Sequence, residues 1–256
     1  EGWKIKEDLK MPKVATEALE WYESQFEKSL AWVDENFDKY RISDALMSIY
    51  KLVWEDFCSW LLELIKPEYG QPIDRQTYSK VIVLFEKNLR ILHPFMPFLT
   101  EELWHFITDR KPEHALTVSS WPEAQDFNEK CIYNFELAQQ IIVGIRNFRK
   151  QKNISHKEKI SLYINADKSS FNFKSTILKL GGVSEMNFSS PPKGLIGGNF
   201  RITNLELFIP TNTAENPEEE KKKLTLELNY TKGFLSNVEK KLSNKHFVAN
   251  APNKVI

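Results

Sequence analysis

The sequence predicts a mainly α fold with a small α+β part and a long final helix. Three observations carry this. Apolar residues recur at steps of three and four over residues 14–107 and again over 127–148. A period-two alternation appears at Ile160, Leu162 and Ile164. A heptad step governs Leu228, Leu235 and Leu242.

Residues 14–38 place Leu19, Tyr22, Phe26, Leu30, Val33 and Phe37 on one stripe of a long helix. Ser43 can cap a second helix with the stripe Leu46, Ile49, Val53, Phe57, Leu61 and Leu64. Trp54 and Trp60 widen that stripe past one face, which puts this helix in the middle of a bundle. Lys66-Pro67 stops it, and Pro67, Gly70 and Pro72 mark a loop. Asp74 opens a third helix with Tyr78, Val81, Phe85, Leu89 and Leu92 inward. Pro94 and Pro97 break it, and Thr100 starts a short fourth helix through Leu103, Trp104 and Ile107. Four helices on short connections make a bundle, over residues 1–124.

From Phe127 the stripe resumes with Phe135, Ala138, Ile142, Ile145 and Phe148, leading into a small α+β unit over 125–214. After the strand at 160–164, a helix around Ser175–Leu180 ends at Gly181-Gly182. Extended runs follow at Val183–Phe188 and Asn199–Ile209, separated by turns at Pro191-Pro192 and Gly197-Gly198. The last unit, 215–256, opens with Asn216, Pro217 and Glu219 as cap, first-turn proline and capping-box partner. Its helix should run to about Ser243, with Val238 on the leucine seam and Thr231 interrupting it. The turn at Asn244–Pro252 should begin the antiparallel return of a coiled-coil hairpin. Both chain ends read as cuts in a longer protein.

Composition narrows the class. The 256 residues carry 35 basic and 35 acidic side chains, so the net charge is zero and a uniformly basic nucleic-acid binder is excluded. Cys58 and Cys131 form no disulfide framework and read as buried thiols of a reducing compartment. No apolar run reaches the roughly 20 residues of a membrane span, and no leader opens the chain.

A catalytic centre is not legible. His93, His105, His114, His156 and His246 have no metal-ligand spacing, and His105 reads as a packing residue. Lys193–Gly198 is the nearest approach to a glycine-rich loop, but no helix follows it, so a plain turn is favoured. Glu101 and Glu102 are helix neighbours that do not face each other, and they read as first-turn dipole residues.

Charge is instead local. Residues 140–160 hold Arg146, Arg149, Lys150, Lys152, Lys157 and Lys159 against Glu158 alone, and residues 216–256 hold eight lysines against five glutamates. Residues 1–65 hold eight basic and fourteen acidic groups. Such separated surpluses can attract phosphates, or serve only solubility. Tyr40-Arg41 closes the first helix and can pair base stacking with a charge, or be an ordinary helix end.

The segment Leu92-His93-Pro94-Phe95-Met96-Pro97-Phe98-Leu99-Thr100-Glu101-Glu102-Leu103-Trp104 resembles one found in the helical anticodon-binding domain of class I aminoacyl-tRNA synthetases for aliphatic amino acids. Val53–Trp60 with Lys66-Pro67, Ile145–Arg149 with Asn153-Ile154, and Val238–Asn244 with Phe247–Pro252 are similar to the valine–tRNA ligase family, as is Trp121-Pro122. The chain departs from that family at Ser24-Gln25, where a basic residue usually follows the serine.

The resemblance implies a helical-bundle anticodon-binding domain, a small mixed α+β domain, and a long coiled-coil helix. It implies tRNA(Val) as partner, without DNA or membrane, and a monomeric cytoplasmic parent enzyme. ATP and magnesium would act in a catalytic core outside these residues, leaving no catalytic residue, metal or cofactor here. Lys39, Tyr40 and Arg41 would meet the anticodon loop. Arg146, Arg149, Lys150 and Lys152 would lie near tRNA backbone, or else brace the α+β unit against the bundle. Lys240, Lys241, Lys245 and Phe247 would lie against the outer corner of the tRNA. The other reading is a helical-bundle module that docks proteins through its aromatic faces.

Overall fold

The computed structural model describes residues 4–166, 172–211 and 217–243. Helix α1 (Lys13–Asp38) is the spine of the unit that ends at Pro210. Its predicted stripe is buried from Leu19 to Val33, and Ala15, Ala18 and Trp21 broaden it. Helix α2 (Ile42–Tyr50) runs without a break into a π-helical stretch (Lys51–Leu61) and then α3 (Leu62–Ile65). Hydrogen bonds there reach back five residues, as from the Leu62 N–H to the Phe57 carbonyl. Each residue of the stretch therefore turns the chain less than an α residue does.

Short β1 (Ile5–Lys6) pairs in parallel with β2 (Ile73–Asp74) at the foot of α4 (Arg75–Leu92). Asp74 caps α4 as expected, accepting the Thr77 N–H at 2.8 Å. Helix α5 (Pro97–Ile107) leads to 3₁₀ turns at Pro112–His114 and Leu116–Val118. Helix α6 (Glu129–Gln151) begins at Asn128, whose side chain accepts the Cys131 N–H at 3.0 Å.

Strand β3 (Ile160–Ile164) buries Ile160, Leu162 and Ile164, as its alternation predicts. It is joined through α7 (Lys174–Gly181) to a parallel neighbour, β4 (Val183–Asn187). Gly182, at φ +65°, ends α7 in the conformation that glycine adopts without a Cβ penalty. The hairpin β5 (Gly197–Ile202) and β6 (Leu205–Pro210) completes the sheet in the order β4-β3-β6-β5. Helix α8 (Pro217–Ser243) lies in a unit of its own, Thr211–Ile256.

One apolar core runs from the bundle into the α+β part. Phe135 of α6 is its centre: it stacks on Trp21 at 3.6 Å between centroids and meets Phe173 edge-on at 5.2 Å. Truncating such a ring costs about 3–5 kcal/mol. Polar groups fix the same junction. Buried Glu17 accepts from Thr176 at the start of α7, while the Lys179 ammonium donates to the Leu64 and Lys66 carbonyls at 2.8 and 2.6 Å. Each charge sits where a helix end leaves unpaired backbone groups.

Several expectations are corrected. Ser43 does not cap α2; Arg41 occupies the cap position, without a side-chain bond. The inward side of the second helix is Ala45, Ile49, Leu52, Phe57, Leu61 and Leu64, because the π-helical stretch widens one step to five residues. Leu46 faces out, and Trp54 is 60% exposed. Helix α5 starts at Pro97, so Thr100 lies inside it, its hydroxyl on the Met96 carbonyl at 2.8 Å. Asn199–Ile209 is two strands, turned at Thr203 with φ +50°. Gly197 and Gly198 belong to β5 rather than to a turn. Cys58 is exposed and Cys131 half-buried, so neither is a buried thiol. Glu101 anchors a 3₁₀ turn instead of a helix start, accepting the Leu116 and Thr117 N–H groups at 2.8 and 3.1 Å.

Candidate nucleic-acid interface

The α1–α2 corner gathers the first three candidates. The Tyr40 N–H donates to the Phe37 carbonyl at 2.9 Å, and the Arg41 N–H reaches back to Asn36 at 2.8 Å. These two bonds are a Schellman closure, which needs its first residue beyond the helix in the left-handed region. Glycine usually takes that place. Here it is Tyr40, at φ +57° and 90% exposed. A non-glycine residue held there costs on the order of 1 kcal/mol, and this ring recovers none of it by packing. Lys39 pairs with Glu35 one turn back, and its ammonium holds the Glu35 carboxyl below the usual range. Arg41 is exposed. The corner thus offers solvent an aromatic face between two cations.

Beyond it, α2 turns further apolar side chains outward. Tyr50 and Trp54 stack at 6.4 Å between centroids with planes 13° apart, and Met47 is exposed one turn earlier. Sequence reading missed this pair, because it placed Trp54 inside; the i, i+4 spacing of two aromatics off the stripe was the available signal.

Between α1 and α2 an open cavity of about 370 Å³ is lined by Gln25, Lys28, Trp32, Lys51 and Asp56, among others. Asp56 is buried, and Gln25 Nε2 donates to its Oδ2 at 3.2 Å. The bond that Gln25 supplies to Asp56 comes from a neutral amide. Burial pushes the Asp56 carboxyl up to about 6, opposed in part by Lys51 and the Gln25 bond.

The basic end of α6 divides. Arg149 is 2% exposed, and its guanidinium donates to the Ser155, Gly182 and Gly181 carbonyls at 2.8, 3.0 and 3.4 Å. Those are bracing contacts, between the end of α6, the loop after it and the end of α7. Arg146 and Lys150 face solvent, Arg146 with its guanidinium 6.0 Å from the Trp60 ring. Lys152 is half-buried. On α8, Lys240 and Lys241 are exposed, whereas Lys245 and Phe247 lie outside the described residues.

His105 Nε2 lies 3.2 Å from Glu101 Oε1. Among the described residues no three histidine, cysteine or carboxylate side chains gather as metal ligands, and no helix is long and apolar enough to cross a membrane.

Residues 20–164, which include the corner and α6, match the family described as the anticodon-binding domain of tRNA ligase. The chain belongs to that family. Residues 217–256 match a second one, the valyl tRNA synthetase tRNA binding arm. Among curated relatives, the valine–tRNA ligase of Christiangramia forsetii is 47% identical over the whole chain, and that of Phocaeicola vulgatus 44%. The enzyme of Geobacillus stearothermophilus is 30% identical over 98% of the chain. The chain spans 29% of the length of each of these relatives.

Proposed function

We propose that this chain binds and positions tRNA(Val) for a valine–tRNA ligase whose chemistry is done outside these residues. The observation that carries the reading is Tyr40: an exposed ring in a costly backbone conformation, between Lys39 and Arg41, within the stretch that matches an anticodon-binding domain. Anticodon-loop bases are unstacked and splay readily, so a fixed aromatic face and two cations suit them. Arg146, Lys150 and Lys152 supply charge toward the backbone, while Arg149 holds the α6 end in place.

In the second unit, Leu228, Leu235, Val238 and Leu242 form the seam of a coiled-coil arm whose Lys240, Lys241, Lys245 and Phe247 approach the tRNA corner. ATP and magnesium serve the parent enzyme elsewhere, and a cytoplasmic monomer is the setting we assign to it.

Fluorescence-polarisation titration of the chain with tRNA(Val), and with the same tRNA carrying an altered anticodon, tests the reading. Affinity should fall steeply with salt, weaken for the altered anticodon, and weaken again with Tyr40→Ala. Equal, salt-indifferent binding of unrelated tRNAs would sink it. The chain alone should form no valyl-tRNA.

A further inference from the structure

Helix α5 is apolar round more of its surface than the bundle covers. With about 100° of rotation per residue, Phe98, Glu102, Phe106 and Leu99 fall within an arc of about 100°, and Leu103, Ile107 and Trp104 carry the apolar surface further round. That second side is packed: Trp104 is buried with Leu89 and Leu116, and Leu103 and Ile107 close the cluster. The first side meets solvent. Phe98 is 90% exposed and Phe106 86%, and Leu99 and the preceding Met96 are exposed as well. A helix apolar on two sides is suited to burial on both, and clustered apolar exposure of this kind marks an interaction surface.

Charge decides what kind of surface belongs there. No lysine or arginine occurs from Pro97 to Ile107. Glu102 stands within the exposed stripe and pairs with no cation among the described residues. Beside it an open cavity of about 350 Å³ is lined by His93, Phe98, Glu101, Glu102 and His105, among others. Glu101 is already engaged by the Leu116 and Thr117 N–H groups and by His105. An RNA or an anionic membrane would meet a carboxylate here and no cation of α5. Two copies joined on a two-fold axis through the stripe would bring one Glu102 against the other. What fits is an apolar protein surface carrying an arginine or lysine, set against Glu102 and the Phe98 ring.

The parent ligase can supply that surface. The chain spans 29% of its relatives, so most of such a ligase lies outside these residues. The Lys4 carbonyl accepts the Ile73 N–H at 2.9 Å, and Glu7 pairs with Arg75. The chain is thus tied to the foot of α4, the helix on which α5 packs. We infer that the Phe98–Leu99–Phe106 face of α5 docks on the body of the parent ligase, against an apolar segment whose arginine or lysine pairs with Glu102. This rests on the reading of the chain as part of a longer ligase, and adds the surface through which the two parts meet.

The test compares the full-length ligase with this chain, each carrying Phe106→Cys and treated with a maleimide. Labelling is read from the mass of the peptide that holds residue 106. The thiol should react quickly in the chain alone and about tenfold or more slowly in the full-length ligase, with or without tRNA(Val). Adding Glu102→Gln should speed labelling in the ligase and leave it unchanged in the chain. Phe98→Ser/Phe106→Ser should lower the melting temperature of the ligase and not that of the chain, since serine matches phenylalanine in helix propensity. Equal labelling of the two proteins overturns the inference. So does protection that appears only with tRNA, or slow labelling of the chain alone that recovers on dilution. Equal labelling in a ligase that still forms valyl-tRNA fails the docking and leaves the functional reading standing. Slowed labelling in a full-length protein that forms none fails the functional reading and leaves the docking.

Discussion

Glu17 and Thr176 stand 159 positions apart, yet one carboxylate oxygen of Glu17 accepts both the Thr176 N–H at 3.2 Å and its hydroxyl at 3.1 Å. A residue of the first helix thereby caps a helix of the α+β part. Glu17→Ala leaves both donors without that acceptor, at a cost of about 1–3 kcal/mol. Urea denaturation should show the midpoint falling by the matching amount, with Glu17→Gln in between. A midpoint that does not move rules the cap out as a source of stability.

Asp56 makes stability depend on pH. A carboxyl in the unfolded chain titrates near about 4, and burial raises Asp56 to about 6 in the folded chain. The folded state binds the proton more tightly, so this contribution is fully present below the unfolded value and lost as pH rises through the folded one. Two units correspond to about 2–3 kcal/mol lost by pH 7. Asp56→Asn keeps an acceptor for Gln25. It should stabilise the chain at pH 7 and remove the decline between pH 4 and 6 from thermal melts. Equal melts for both proteins across that range would contradict this.

Tyr40→Gly should separate stability from binding. Glycine adopts φ +57° without a Cβ clash, so the chain should gain about 1 kcal/mol. The exposed ring is lost, and affinity for tRNA(Val) should drop. Both readings come from one sample, by calorimetry and polarisation. A variant that is more stable and binds as before would remove Tyr40 from the interface.

Gly197 has no room for a side chain. A Cβ built there would lie 2.3 Å from the Ile209 carbonyl oxygen and 2.5 Å from the Phe208 ring. Backbone cannot step aside as a flexible side chain can, so Gly197→Ala should cost about 1–3 kcal/mol. Gly194→Ala, in open space but at φ +87°, probes backbone strain alone. A loss at 197 no larger than that at 194 would show that the hairpin gives way.

Arg149→Met tests the brace at the end of α6. It removes the donor from three carbonyls and should cost about 2–3 kcal/mol in unfolding. The salt slope of tRNA binding should stay unchanged, since a buried guanidinium releases no counterions. A shallower slope at unaltered stability would place Arg149 on phosphate instead.

Much of the fold was legible. The stripes of α1 and α6, the Asp74 cap, the alternation of β3 and the Gly182 closure depend on local periodicity and single-residue preferences, which a sequence displays directly; in α4 only Leu89 of the expected stripe is buried, with Leu84 and Ile91, while Tyr78, Val81, Phe85 and Leu92 are half-buried. The second helix was misread because a π-helical stretch changes the residues per turn, and no single residue from Lys51 to Leu61 announces that change. Thr203 turns a hairpin without glycine, so β5 and β6 read as one run. At the candidate site, the end of α1 at Lys39, Tyr40 and Arg41 is legible from chain order. The different burial of the α6 arginines is not, since Arg146 and Arg149 differ only in which face of one helix they occupy. Glu17 was invisible for a different reason: its partner is far along the chain, and one glutamate on a helix looks like any other.

Glu17 and Tyr40 sit at opposite ends of the same helix, one locked to α7, the other bare. With Lys179 clamping α3, α1 is a beam fixed at its base before any ligand arrives. A base that stacks on Tyr40 meets a ring whose backbone is already set, so little ordering entropy is lost on contact.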